Sequence, residues 1–406
     1  MSESIYRRLR DAINSALPEY EEPKALARAR KKNNKRAVMR LELEERENAA
    51  ARFALAPLPE GFNPGEEPGY IPGRADGLWY YGIEDEVAAD YAAADTAATE
   101  AASANNTALS DRTRAALAKL VITASSRRED ERESAFSLLP PLVSSCPAPL
   151  LFEGVQKAVY EQRESVDPQR LRDFASALLR DSADPAEVKL SLGIIGSYVA
   201  EPDYRLKSII RTLGKYPEFT QYAVRLMRGW KGTLAPTGRA RIVGAGGDEI
   251  LSLGRLTYGW GKVFCAEFLD PADCGSPVKS AEAADWLLCE GYDNGIDISL
   301  TALGCLRKSG AASLLEKPKR FRGQRTRPAL IGISRMLTAL AGVGDDSARD
   351  TLDDLPDCRG FVLGYLGIFR AVPSLAALPE CAAALSALAG YFSGDAEIPA
   401  AVRLFI

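Results

Sequence analysis

From about Ser110 onward the chain is one leucine- and alanine-rich apolar segment after another, each about 10–18 residues long and closed by a short Asp, Pro or Gly break. Asp167-Pro168, Asp184-Pro185, Glu201-Pro202, Pro217-Glu218 and Asp270-Pro271 all suit helix starts, with an acid as N-cap and a proline in the first turn. Alternating β-branched runs, which half-buried strands need, are nearly absent. The pattern predicts an all-α fold. Its one interruption is Thr233 to Asp248, where Gly238, Gly244, Gly246 and Gly247 with Pro236 read as a long loop.

A weak internal repeat runs through these helices. Leucine-rich turns ending in small residues recur at Leu190–Gly193, Ile209–Gly214, Ile250–Gly254, Leu300–Gly304, Leu337–Ala341 and Leu385–Ala389. Their spacing is irregular and often about 40–50 residues, which suits two-helix repeats. The stretch Asp184-Pro185-Ala186-Glu187-Val188-Lys189-Leu190-Ser191-Leu192-Gly193 resembles the start of the second helix of a HEAT repeat. That pattern reads Asp-Pro, two variable residues, Val-Arg, then small and leucine positions ending Leu-Gly. Lys189 stands where the pattern has Arg, and Ser191 near a usual Ala. Gly259-Trp260-Gly261-Lys262, with Asp285-Trp286-Leu287-Leu288 and Gly291-Tyr292-Asp293-Asn294, looks like a segment of HEAT-like bacterial proteins without an assigned function. The resemblance covers about residues 110–400 and implies an α-solenoid, an α-α superhelix of HEAT-like pairs of the armadillo type. It implies no activity.

Upstream, the expected organisation is a charged helical extension over 1–56, a Pro/Gly-rich linker over 57–83, and the repeat domain over 84–406. The extension holds a first helix from about Ser4 to Leu17, with Ile5, Leu9, Ile13 and Leu17 on one face. A second, from about Lys24 to Leu55, is basic from Lys24 to Arg40 and acidic from Glu42 to Glu47. Five prolines and five glycines over 57–78 exclude a helix there, and Trp79-Tyr80-Tyr81 is expected to dock the linker. An alanine-rich helix is expected from Glu84 to about Ala104.

Chemistry is bounded by the absence of any histidine. Ser-His-Asp and Cys-His nucleophiles, HExxH zinc sites and His-based proton shuttles are all excluded. Seven scattered cysteines without a CxxC pair read as buried reduced thiols rather than metal ligands or disulfides. No cofactor motif is expected: after Val243-Gly244-Ala245-Gly246-Gly247-Asp248-Glu249 no third fingerprint glycine and no Gly-Lys-Ser/Thr follows, and Asp248 reads as an N-cap. The charged N-terminus is unlike a signal peptide, and Phe361–Phe369 is too short an apolar run to cross a bilayer. A cytoplasmic protein without membrane contact is the expectation.

Two candidate surfaces remain. Trp230, Tyr258, Trp260, Trp286 and Tyr292, with Asp285 and Asn294, could line a concave pocket, although aromatics at helix ends more often pack in a core. The run Lys317, Lys319, Arg320, Arg322, Arg325 and Arg327 could grip phosphates or an acidic partner, with Phe321 to stack on a base; the ordinary reading is a solvated connector. The basic stretch Arg28 to Arg40 poses the same choice. Asp285-Trp286 also has a superficial likeness to HEAT-like DNA glycosylases, and no catalytic role is carried over from it. The leading reading is a non-enzymatic scaffold with a protein partner. Nucleic-acid binding through the basic run is the runner-up, and a carboxylate-based enzyme is a third reading that would need two buried acids facing one cavity. The residues leave oligomeric state open.

Overall fold

The computed structural model describes residues 4–16, 71–81, 109–144, 146–198, 202–234, 242–343 and 350–405. The expected helix over 24–55, the linker up to 70 and the alanine-rich run over 84–104 lie outside these residues. So does the basic stretch Arg28 to Arg40. The described chain is helical almost throughout, as the segment pattern predicts. Among the described residues no helix is long and apolar enough to cross a membrane.

The chain divides into two compact units. One holds the described residues of Met1–Trp79 and Glu84–Leu226 with Arg255–Thr257; the other holds those of Tyr80–Ile83, Met227–Gly254 and Tyr258–Ile406. The repeat region expected over 84–406 is thus shared between them.

In the first unit, α1 (Ile5–Ala16) precedes α2 (Arg74–Tyr81, in this unit through Trp79). Then come α3 (Asp111–Ala124), α4 (Glu129–Ser137), α5 (Leu139–Val143), α6 (Ala148–Glu161) and α7 (Pro168–Asp181). The last three are α8 (Pro185–Gly196), α9 (Tyr204–Gly214) and α10 (Pro217–Arg228, in this unit through Leu226). Their starts follow the expected chemistry. Asp167 and Asp184 accept hydrogen bonds from the first free backbone N–H groups of α7 and α8, each with proline at the next position. For α9 the cap is Asp203, two residues past the Glu201 expected. Packing is ordered: α3 lies on α6, α6 on α8, α8 against α7 and α7 beside α9. Residues Val188–Ile195 of α8 are all buried, so this helix is wrapped on every side. Gly193 allows that, since a Cβ there would lie 2.7 Å from Val155 Cγ1 and 3.0 Å from Phe152 O of α6. The α1 helix lies across α7 and α9 with Ile5 and Leu9 buried, and Ile5 N–H donates to Ser182 O.

The expected linker is corrected at its end, because residues 74–81 are helical. The last proline is Pro72, and Gly73, with φ 77°, turns the chain into α2, so nothing after it forbids a helix.

In the second unit the described part of the loop expected over 233–248 is two paired strands and the start of a helix. Strand β1 (Lys231–Leu234) pairs antiparallel with β2 (Ile242–Ala245), Lys231 opposite Ala245 and Thr233 opposite Val243. Then follow α11 (Gly246–Gly254), α12 (Gly259–Phe268), α13 (Pro277–Trp286), α14 (Ser299–Lys308), α15 (Ala311–Leu315) and α16 (Arg327–Ala341). The chain closes with α17 (Cys358–Ala371), α18 (Pro379–Tyr391) and α19 (Glu397–Val402). Helices α12, α14, α16 and α18 form one series, each against the next, while α15, α17 and α19 form another. A π-helical turn, Leu287–Gly291, continues α13 and seats on α16. All six leucine-rich repeat segments fall in helices, namely α8, α9, α11, α14, α16 and α18.

Candidate functional site

Inside the first unit one lysine is buried among acids. Lys189 of α8 stands where the HEAT-like pattern carries arginine, and its Nζ lies 2.5 Å from Asp76 Oδ2 of α2. It also donates to Glu218 Oε1 of α10, whose other carboxylate oxygen accepts the Gly73 N–H at 2.7 Å. The Lys189 ammonium sits 5.6 Å from the Tyr222 ring centroid. Burial alone would lower the lysine, but the charges and hydrogen bonds of Asp76 and Glu218 outweigh it and hold it above its usual value. Burial raises the Asp76 carboxyl and outweighs the attraction of Lys189, with repulsion from Glu218 adding to the rise. One ammonium thus faces two carboxylates, all buried. In the sequence Lys189 stands out only as a departure from arginine, and nothing near Asp76 signals its partner.

A groove of about 550 Å³ lies in the same unit between α4 and α7, lined by Arg132, Phe136, Asp167, Gln169, Arg170 and Asp173 with Phe174. Its cations are committed to the fold. Arg132 and Arg170 both donate to the Ser126 and Arg127 carbonyls beyond the end of α3, and Arg170 also pairs with Asp167 at 3.1 Å. Phe136 and Phe174 stack in a tilted pair at 4.9 Å.

The aromatic set expected to line a pocket is, with two exceptions, core of the second unit. Trp230, Trp260, Trp286, Tyr292 and Asn294 are each 5% exposed or less, whereas Tyr258 is 45% exposed and Asp285 is exposed. The packing explains it. A Cβ on Gly254 or Gly291 would meet the Trp286 ring at 2.7 and 2.8 Å, so the indole is clasped between two glycines. Asn294 is consumed by its own loop, accepting from Ile296 N–H and Asp297 N–H and donating to the Asp297 carbonyl. These residues hold helices together and form no common lining. Trp286 Nε1 is buried without an acceptor among the described residues.

Gly246 and Gly247 serve close packing rather than phosphate. A Cβ at Gly246 would lie 2.3 Å from Met227 O, and one at Gly247 would lie 2.7 Å from the Asp273 and Cys274 backbone. Asp248 sits within the first turn of α11, not at its N-cap, and accepts from Gly275 N–H at 3.2 Å. Burial pushes the Cys146 and Cys305 thiols up to about 12; burial and then the nearby acids Asp248 and Asp285 do the same for Cys274 and Cys289, so all four stay protonated at neutral pH. Among the described residues no three Cys, Asp or Glu side chains gather closely enough to hold a metal.

The basic run is a fixed turn. Pro318–Arg322 and Gln324–Thr326 are successive 3₁₀ turns between α15 and α16. Phe321 is 2% exposed, so it anchors the turn and, contrary to the expectation above, is closed to stacking on a base. Thr326 Oγ1 lies within hydrogen-bond distance of the Arg320 and Gly323 carbonyls, at 2.9 and 3.0 Å. Around this frame Lys317, Lys319, Arg320, Arg322 and Arg327 are exposed. The backbone of Arg325 lies in the second turn, and its side chain is outside the described atoms.

Comparison of this chain with protein-family models, with curated proteins and with solved structures finds no match.

Proposed function

We propose that this chain is a non-enzymatic macromolecular-binding scaffold whose units are short HEAT-like helical stacks, holding a protein partner on the helical surface. The observation that carries this reading is packing order. Alternate helices lie side by side: α6 on α8 and α7 on α9 in the first unit, then α12, α14, α16 and α18, with α15, α17 and α19, in the second. Helical pairs stacked in this way bury a continuous interior and leave their outer faces free for a partner. The buried Lys189, Asp76 and Glu218 are bound to one another, as groups that hold a fold together are.

The exposed cations of the 317–327 turn favour a second reading, nucleic-acid binding. It is the weaker one, because the turn's only aromatic is buried.

Affinity capture of the tagged full chain from its native lysate, with and without nuclease, separates the two. A protein recovered in stoichiometric amount after nuclease supports the scaffold. Nucleic acid alone, lost on nuclease or moderate salt, would replace it with the second reading.

A further inference from the structure

We propose that the turn Lys317–Arg327 is a docking site for a short acidic peptide segment of the protein partner; the inference rests on the scaffold reading and names the surface and chemistry it uses. Three observations carry it.

The first is unspent charge. Two exposed arginines elsewhere in the second unit are paired within the fold, Arg335 with Asp293 and Glu380 and Arg359 with Asp395 and Glu397, whereas the exposed Arg228, Arg370 and Arg403 lie far apart in the chain and pair with no described acid. Lys317, Lys319, Arg320, Arg322 and Arg327 form no ion pair with any described residue. Five such charges within eleven residues, paired with no described acid, repel one another, and an incoming anion relieves that repulsion.

The second is order. Phe321 is sunk into the unit and Arg320 N–H donates to Lys317 O at 2.9 Å. Gly323 N–H donates to Arg320 O at 3.1 Å, and Thr326 Oγ1 closes the loop on the same carbonyl. The backbone carrying the cations is therefore already set, which removes much of the ordering cost that a flexible basic tail would meet on binding.

The third is fit. From Lys317 to Arg322 a 3₁₀ path rises about 10 Å, at roughly 2 Å per residue. An extended peptide covers that distance in about three residues. Guanidinium groups take carboxylates in two parallel hydrogen bonds, so Arg320 and Arg322 suit aspartate or glutamate side chains. A nucleic-acid strand would want a longer stripe and a ring to stack on, and Phe321 is closed off.

The test is a fluorescence-anisotropy titration of the full chain with a labelled peptide of about eight glutamates, and with a single-stranded oligonucleotide of equal charge. The turn variant is Lys319→Glu, Arg320→Glu and Arg322→Glu. A control of the same charge change carries Arg112→Glu, Lys119→Glu and Arg127→Glu, all exposed in the first unit. Thermal unfolding checks both folds, and alanines at 319, 320 and 322 replace the reversals if folding suffers. The expected result is tighter binding of peptide than of oligonucleotide, with Kd raised about tenfold or more in the turn variant and less than about twofold in the control. No binding by the unaltered chain, equal losses in both variants, or preference for the oligonucleotide would overturn the proposal. A turn variant that still captures the lysate partner undiminished would also overturn it while leaving the scaffold reading standing. Should the unaltered chain capture no protein, the scaffold reading falls, and the peptide titration still decides the turn.

Discussion

Lys189 and Asp76, 113 residues apart in sequence, meet in the interior of the first unit with the ammonium 2.5 Å from the carboxylate. That contact, with Glu218 on the other side, joins α2, α8 and α10 through charge rather than packing. A buried ion pair adds little net stability, yet removing one member leaves the others uncompensated.

Lys189→Met is therefore expected to cost about 3–5 kcal/mol, because it leaves two carboxylates buried without a cation. Adding Asp76→Asn and Glu218→Gln to the same chain should recover most of that loss, since the excess charge goes with them. Urea denaturation of the three proteins measures this. A Lys189→Met loss under about 1 kcal/mol would show that the cluster is solvated rather than buried.

The same lysine sets a sign for alkaline pH. Its folded value lies above the usual 10.5, so the folded chain keeps a proton that the unfolded chain gives up. The stabilisation is complete below pH 10.5 and is lost as pH rises through the folded value. Cys305 acts in the same direction, its thiol raised from 9.0 to about 12, so unfolding gains from ionisation above pH 9. Urea midpoints should fall from pH 9 upward, less steeply in Cys305→Ala between pH 9 and 12. Identical slopes in the two proteins would contradict the burial of this thiol.

Two glycine substitutions are expected to differ in sign. A Cβ at Gly332 of α16 would lie 1.7 Å from Leu288 O of the π turn, so Gly332→Ala must push the two backbones apart. Overpacking of this kind costs about 1–3 kcal/mol. Gly390 of α18 has nothing within 4 Å, and Gly390→Ala should stabilise by about 0.5–1 kcal/mol through helix propensity. Thermal melts of the pair decide it, and equal effects would argue against the close seat of the π turn on α16.

Phe321→Ala should loosen the cationic turn. Truncating a fully buried phenylalanine costs about 3–5 kcal/mol, and faster proteolysis near Arg320 and Arg322 should accompany the loss. Unchanged protease sensitivity would mean that the hydrogen bonds of Thr326 hold the turn by themselves.

What could be read from sequence follows from the range of each interaction. The caps Asp167 and Asp184 act on backbone groups two and three residues away, so they were legible, and so were the helices they start. The leucine-rich segments were legible because helical periodicity is local. The β1–β2 pair was not, since its four-residue strands, Lys-Gly-Thr-Leu and Ile-Val-Gly-Ala, are too short to show alternation. The two carboxylates around Lys189 come from residues 29 and 113 positions away, which no spacing rule connects. Trp286 did not announce its burial because the close approach of Gly254 and Gly291 to its ring depends on how the helices pack and not on local spacing. The cationic turn was visible as charge, but its buried anchor was not, since Phe321 sits among six basic residues.

Hydrogen–deuterium exchange on the full chain, alone and with the protein recovered by capture, tests the scaffold account most directly. The account expects exchange to slow across residues 315–328 and along neighbouring exposed helix faces, with the buried α8 unchanged. No slowing on any helix face or on the turn would contradict the scaffold account, whereas slowing confined to the groove of Arg132, Phe136 and Arg170 would leave it standing and contradict docking at the turn.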